Sequence, residues 1–137
     1  MSTAYYALFH KVLRAGAERF MGAGMGPSGG FALIYRSFNH GRMKTVCESL
    51  TAKKLSSTVQ HQLGRASVSQ EMRDFAGGFA TLQELRHQAD YDPAAHFPLS
   101  MVGHIVDLAD VAMTAFDGAP ADEQADVLAL MLMNPRT

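Results

Sequence analysis

Residues 67–93 have the sequence SVSQEMRDFAGGFATLQELRHQADYDP. Apolar side chains recur in it every three or four residues, which predicts an amphipathic α-helix from about Val68 to Tyr91. Ser67 followed by Gln70 has the form of a capping box at the start of this helix. Pro93 stops it, because the residue before a proline disfavours helical backbone. The predicted buried stripe consists of Phe75, Phe79, Leu82, Leu85 and Ala89.

Two consecutive glycines, Gly77 and Gly78, lie in the middle of this predicted helix. Each costs about 1 kcal/mol of helix stability relative to alanine. The compensation that we expect is the close approach of another helix, although a kink is an alternative.

Helical periodicity continues through most of the chain, and no stretch shows the sustained period-two alternation of a strand. Residues 22–30 contain five glycines and a proline, which predicts a loop. Residues 51–65 are polar and rich in serine and lysine, which predicts a loop or a frayed helical end. The fold class is therefore all-α, an antiparallel bundle of four or five helices forming a single domain over residues 1–137. The other predicted helices are Thr3–Met21, Phe31–Leu50 with a possible break at Gly41, Met101–Phe116 and Ala121–Met133.

Length and composition indicate one domain in a reducing compartment. A chain of 137 residues with 47% hydrophobic content is long enough for one real core and too short for two comfortable ones. Cys47 is the only cysteine, so it has no partner for an intramolecular disulfide. Charged side chains recur through the first twenty residues, unlike a secretory signal or a membrane span. We therefore expect a soluble, cytoplasmic protein with no membrane partner.

Charge is divided unevenly along the chain although the net charge is only -1. Residues 1–73 hold ten Lys and Arg against three acidic residues, whereas residues 74–137 hold two against ten. A basic face able to attract phosphate is one consequence of such a division. The other is that the two halves neutralise each other where helices touch.

Four polar residues near the end of the long helix are the strongest candidates for chemistry: Arg86, His87, Asp90 and Tyr91. At 100° per residue they project within one arc of about 140° beside the apolar stripe. Arginine suits phosphate because its planar fork donates two parallel hydrogen bonds, and histidine carries protons near neutral pH. The alternative is an ion pair and a ring contact at a helix C-terminus, without any site.

Three segments resemble proteins of the HEPN superfamily, particularly bacterial members with an RHxADYDP signature. They are Leu82-Gln83-Glu84-Leu85-Arg86-His87-Gln88-Ala89-Asp90-Tyr91-Asp92-Pro93, Tyr5-Tyr6-Ala7-Leu8-Phe9-His10, and Tyr35-Arg36 with His40-Gly41. The resemblance spreads over most of the chain. It implies a helical bundle that pairs as a homodimer. In active members it also implies a metal-independent ribonuclease whose site forms where two copies of the motif face each other.

The family's nuclease motif is an arginine, then a polar residue, then a histidine about four to six positions on. Arg86 matches the arginine and His87 matches the polar position, but Tyr91 stands where the histidine is expected, and His96 follows a proline outside the spacing. The resemblance therefore implies that Arg86 holds the scissile phosphate, with His87 as a substitute acid–base group. The substrate-binding candidates are Asp90, Tyr91, His10, Arg36 and His40.

Three functions remain open from the sequence. The first is a dimeric, metal-independent ribonuclease of toxin or defence type, which would have a cognate antitoxin protein. The second is a HEPN-like module without catalysis that binds a nucleotide, an RNA or a protein, which the tyrosine at position 91 favours. The third and weakest is a metal-dependent helical-bundle enzyme with ligands such as His10, His40 and His87. No cofactor is expected for the first two.

Overall fold

A computed structural model describes residues 2–22, 29–91 and 99–133, apart from the side chains of Ser2, Tyr91, Leu99 and Ser100. It contains seven α-helices and no strand within those residues. The predicted all-α class is confirmed, with more helices than the four or five expected. The helices are α1 (Ser2–Met21), α2 (Gly29–Ser37), α3 (His40–Leu50), α4 (Ser57–Leu63), α5 (Gln70–Tyr91), α6 (Leu99–Gly118) and α7 (Ala121–Leu132).

The predicted second helix is two helices, α2 and α3, separated at Phe38 and Asn39. Asn39 has extended backbone, and its side chain accepts a hydrogen bond of 3.0 Å from the backbone N–H of Arg42. This is an N-cap, which satisfies a donor that a helix leaves unpaired at its start. The sequence suggested a break at Gly41. The break instead lies at Phe38 and Asn39, ahead of that glycine.

Helix α4 lies in the polar segment that was expected to be a loop or a frayed helical end. Ser56 caps its first turn by accepting from the backbone N–H of Val59, and Gly64 ends it with a left-handed φ of 68°. Glycine adopts that conformation without the steric cost of a side chain. The segment shows little hydrophobic periodicity because Val59 is the one buried residue of the seven in α4.

Helix α5 begins two residues later than the capping-box prediction, which is therefore wrong in its register. The hydroxyl of Ser69, not Ser67, accepts from the backbone N–H of Met72 at 3.2 Å. The carboxylate of Glu123, on α7, also binds the start of α5, because it accepts hydrogen bonds from the backbone N–H and the hydroxyl of Ser69. The proline stop predicted at Pro93 lies outside the described residues.

The core centres on the antiparallel packing of α5 against α6. The ring centroids of Phe75 and Phe116 are 4.8 Å apart. About one turn further along α5, Gly78 faces Ala112 of α6. A Cβ at Gly78 would lie 2.9 Å from the Cβ of Ala112, so glycine is what allows the helices this close. The expected close approach is confirmed for Gly78, whereas a Cβ at Gly77 would meet nothing within 4 Å.

All seven helices except α2 contribute buried residues to one hydrophobic core. Several large apolar residues of the helices are exposed: Phe20, Leu33, Val102 and Val106. On α6 the two valines line an apolar cleft of about 420 Å³ against the start of α1. None of the described helices combines the length and apolarity needed to cross a membrane.

Ion pairs join the basic and acidic halves of the chain. Lys11 of α1 pairs with Asp117 of α6 at 3.0 Å, and Lys44 of α3 pairs with Glu84 of α5 at 2.7 Å. Arg65 pairs with a carboxylate of α7, that of Asp126, at 2.6 Å. These three cations of the basic half are therefore neutralised by carboxylates of the acidic half where helices touch, which is the second of the two consequences drawn from the sequence.

Candidate functional site

Arg86 continues the buried face of α5 beyond its last apolar residues. It follows Phe79 by seven residues and Leu82 by four, spacings that keep side chains on one helical face. Phe79 and Leu82 are buried, and the side chain of Arg86 is only 15% exposed. A guanidinium therefore occupies a position that the helical pattern would otherwise give to the core.

Two tyrosines of α1 hold this guanidinium. Arg86 Nη1 donates a hydrogen bond of 2.8 Å to the Tyr6 hydroxyl, and the guanidinium carbon lies 5.4 Å and 5.7 Å from the ring centroids of Tyr5 and Tyr6. Both distances are within the range of cation–π attraction. The nearest carboxylate oxygen, of Asp90, is 3.8 Å from Arg86 Nε, and Nε has no hydrogen-bond partner among the described residues. The cation is thus fixed by aromatic rings more than by a counter-charge.

His40 lies beside this cluster at the first turn of α3. Its ring stacks on Phe9 with centroids 3.9 Å apart and planes 12° apart, and its Nδ1 is 2.6 Å from the Tyr5 hydroxyl. Burial lowers the pKa of His40 below its usual value, and the nearby charge of Arg86 and then His10 lower it further. The imidazole is consequently neutral at neutral pH.

The Tyr5 hydroxyl determines which nitrogen of His40 carries the hydrogen. Burial raises the pKa of Tyr5, so the phenol stays protonated. Tyr5 is fully buried, and a buried hydroxyl hydrogen needs an acceptor. When Tyr5 donates to Nδ1 of His40, the neutral ring carries its own hydrogen on Nε2, which becomes a donor.

His10 forms the exposed edge of the same cluster. Its ring lies 6.2 Å from that of Tyr6, one turn earlier on α1. On the other side it stacks on Tyr35 of α2 at 5.8 Å, and its Nδ1 is 2.5 Å from the Tyr35 hydroxyl. An exposed imidazole oriented by a hydroxyl can exchange protons with a ligand.

The structure thus brings together three of the residues chosen from the sequence, Arg86, His10 and His40, with Asp90 at the edge. Arg36 does not join them, because it is exposed on α2 and its Nε donates to the carbonyl of Ala32 in its own helix. The side chain of Tyr91 and the whole of His96 lie outside the described residues.

His87, to which sequence analysis assigned the acid–base role, lies on α5, whereas His10 lies on α1 and His40 on α3. It is exposed on α5, and its charge lowers the pKa of Glu84, after the larger effect of the hydrogen bond from Lys44. Successive residues of a helix project about 100° apart, so His87 projects from a different side of α5 than Arg86 does.

Residues that sequence analysis treated as core or left without a role complete the site. Tyr5 and Phe9 contact His40, Tyr35 contacts His10, and the side-chain amide of Gln83 donates to the backbone carbonyl of His40 at 2.9 Å. A signal for the residues of α1 existed in the segment YYALFH, where Tyr5 and Phe9 are four residues apart, as are Tyr6 and His10, so that each pair shares a helical face. Gln83 has a comparable signal, as a polar residue beside Leu82 on the buried stripe.

A metal centre does not form from the described residues. No group of three or more His, Cys, Asp or Glu side chains among them is arranged to hold an ion. The ligand set His10, His40 and His87, on which the metal-enzyme hypothesis relied, is accordingly not assembled in this part of the chain.

His40 offers a direct test of the site's electrostatics. Since its folded pKa lies below the unfolded value of about 6.5, the unfolded chain binds more protons below that pH. Stability is therefore intact above about pH 6.5 and falls as the pH drops from there toward the folded pKa. In NMR titrations we expect His40 to titrate below 6.5, and Arg86→Met to raise its pKa. Titration of His40 at or above 6.5 in the native chain would contradict this account.

Comparison with known proteins does not assign the chain to a family. No family model, curated protein or solved structure matches the chain. Function is therefore argued from the cluster itself.

Proposed function

We propose that this chain is a HEPN-like, metal-independent ribonuclease whose site is the cluster around Arg86. The observation that carries the proposal is a recessed guanidinium, held by Tyr6, with the imidazoles of His10 and His40 on the same side of the bundle. A fixed guanidinium beside histidines supplies both charge stabilisation and proton transfer, the two needs of phosphodiester cleavage.

In the proposed reaction the ribose 2′-oxygen attacks the adjacent phosphorus. The new bond joins the 2′-oxygen to phosphorus, and the bond from phosphorus to the 5′-oxygen breaks. The products are a 2′,3′-cyclic phosphate and a 5′-hydroxyl. Arg86 stabilises the charge that accumulates on the phosphoryl oxygens in the transition state. Nothing is oxidised or reduced, so no co-reactant is required.

The two histidines take different roles. His10 is exposed, so it is assigned the proton from the 2′-hydroxyl, which it then delivers to the departing 5′-oxygen. His40 is neutral and carries its hydrogen on Nε2, so it is assigned a hydrogen bond to a phosphoryl oxygen. The sequence assigned proton transfer to His87; the contacts of His10 favour moving that role to α1.

Cleavage of single-stranded RNA in excess EDTA tests the proposal and separates the three histidines. We expect wild-type protein to cleave, and His10→Ala to lose at least about 100-fold in rate, the usual contribution of an acid–base group. His40→Ala should lose less, and His87→Ala should stay close to wild type. His61→Ala, an exposed position on α4, serves as the matched control. Loss in His87→Ala without loss in His10→Ala would return the acid–base role to α5.

Failure of the wild-type protein to cleave varied RNAs would overturn the nuclease and leave the binding module. Activity abolished by EDTA and restored by zinc or manganese would favour the metal enzyme instead. A 2′,3′-cyclic phosphate end on the product, detected by mass spectrometry, identifies attack by the 2′-hydroxyl.

The homodimer and the antitoxin implied by the resemblance stay predictions. The cleft between α1 and α6 offers an apolar surface, with Val102 39% and Val106 46% exposed. Sedimentation of the native chain and of Val106→Glu compares its oligomeric state with and without that surface.

A further inference from the structure

Four aromatic rings form a continuous row that leads away from Arg86 across α1 and α2. Tyr6 and His10 are one turn apart on α1, and Phe31 and Tyr35 are one turn apart on α2. Successive centroids are 6.2 Å apart for Tyr6 and His10, 5.8 Å for His10 and Tyr35, and 6.2 Å for Tyr35 and Phe31. We call these four residues the aromatic row.

The rings of the aromatic row are inclined to one another by only 19° to 30°. Nearly parallel rings with centroids about 6 Å apart are offset, since rings stacked directly face to face lie closer. Each ring therefore leaves part of a face uncovered by its neighbour. None of the four residues is buried, so each side chain of the row has some surface exposed to solvent.

One end of the row is the phosphate-binding end of the proposed site. Arg86 donates to the hydroxyl of Tyr6 and lies 5.7 Å from its ring. At the other end the row continues onto α2 through Tyr35 and Phe31. A fixed cation beside a series of aromatic rings is a combination that single-stranded nucleic acids bind.

We infer that the aromatic row is a stacking platform for the unpaired bases of RNA, with a backbone phosphate at Arg86. The inference rests on the proposed function and names its substrate class as single-stranded RNA. Unpaired bases present faces that can stack on Tyr, Phe and His rings, whereas bases inside a duplex are already stacked on one another. Stacking tolerates any base, so the row predicts little sequence preference.

Binding of an uncleavable oligonucleotide tests the platform independently of catalysis. The probe is a short, fluorescently labelled single strand with 2′-O-methyl sugars, and its partner is an abasic strand of the same length and charge. We expect Tyr35→Leu to weaken binding of the base-bearing strand about 5- to 150-fold, the range for loss of one stacked base. Tyr35→Leu should bind the abasic strand as well as wild type does.

Two further variants separate stacking from side effects. Tyr35→Phe keeps the ring but removes the hydroxyl bound to His10, so it should bind the base-bearing strand like wild type. Leu33→Ala changes an exposed residue of the same helix that points away from the row, and it should bind both strands normally. Equal weakening of both strands by Tyr35→Leu, or no weakening of either, would overturn the platform.

Arg86→Met distinguishes failure of the platform from failure of the proposed site. If Arg86 holds a phosphate, this variant weakens the base-bearing and the abasic strands alike. If Arg86→Met weakens neither strand while Tyr35→Leu weakens the base-bearing strand, the phosphate site and the proposed nuclease fail but the stacking surface remains; the opposite pair of results keeps the phosphate site and overturns the platform. A duplex of the base-bearing strand should show no dependence on Tyr35, and an equal dependence would also refute stacking on unpaired bases.

Discussion

Replacement of Arg86 with methionine is expected to slow RNA cleavage by at least about 100-fold while changing the free energy of unfolding little. Loss of a group that stabilises transition-state charge costs about 100- to 1,000-fold in rate. Stability should respond differently, because the guanidinium is only 15% exposed, its Nε lacks a hydrogen-bond partner among the described residues, and Asp90 is 3.8 Å away. Methionine fills similar space without the cost of desolvating a charge, so we expect the free energy of unfolding to fall by no more than about 1 kcal/mol.

Rates of cleavage in EDTA and chemical denaturation curves measure the two effects on the same preparations. Arg86→Lys is the matched control, because it keeps the charge but lacks the planar fork, and its activity should lie between wild type and Arg86→Met. A stability loss of several kcal/mol with activity retained would show that Arg86 is a structural anchor and would contradict its assignment to phosphate.

Replacement of Glu123 with alanine is expected to lower the free energy of unfolding by about 3 kcal/mol. Glu123 is only 6% exposed, and its carboxylate accepts from the Ser69 backbone N–H at 3.0 Å and from the Ser69 hydroxyl at 2.9 Å. It also pairs with Arg65 at 3.6 Å. Alanine would leave these donors unpaired at the start of α5, where a negative charge also complements the helix dipole. Urea denaturation followed by circular dichroism measures the loss.

The adjacent residue provides the control. Asp122 also pairs with Arg65, at 3.3 Å, but its side chain is 76% exposed, so Asp122→Ala should cost less than about 1 kcal/mol. Glu123→Gln retains an acceptor for Ser69 and should lose less than Glu123→Ala. Equal losses for the alanine variants at 122 and 123 would refute a special role for the buried carboxylate.

The sequence pattern identified several residues of the site but not the roles of the three histidines. Arg86 was found because its residue type and its place at the end of a strongly periodic helix are both visible in the chain. His10 and His40 were named as secondary candidates. His87 was preferred because it is next to Arg86, but adjacent residues on a helix point 100° apart, and the contacts of Arg86 are made with α1.

The sequence alone determined that the chain is helical and where the long helices lie, and it predicted a close helix approach at the Gly77–Gly78 pair, which the structure assigns to Gly78. These features depend on periodicity and on residues close in sequence, so they can be predicted from local pattern. Only the tertiary structure decided that Ser69 caps α5 with Glu123, that Val102 and Val106 are exposed, and that Tyr6, His40 and Arg86 meet. Such contacts join residues that are 35 to 80 positions apart in the sequence. Their geometry depends on how the helices pack against one another, and the periodicity of a single helix does not determine that packing.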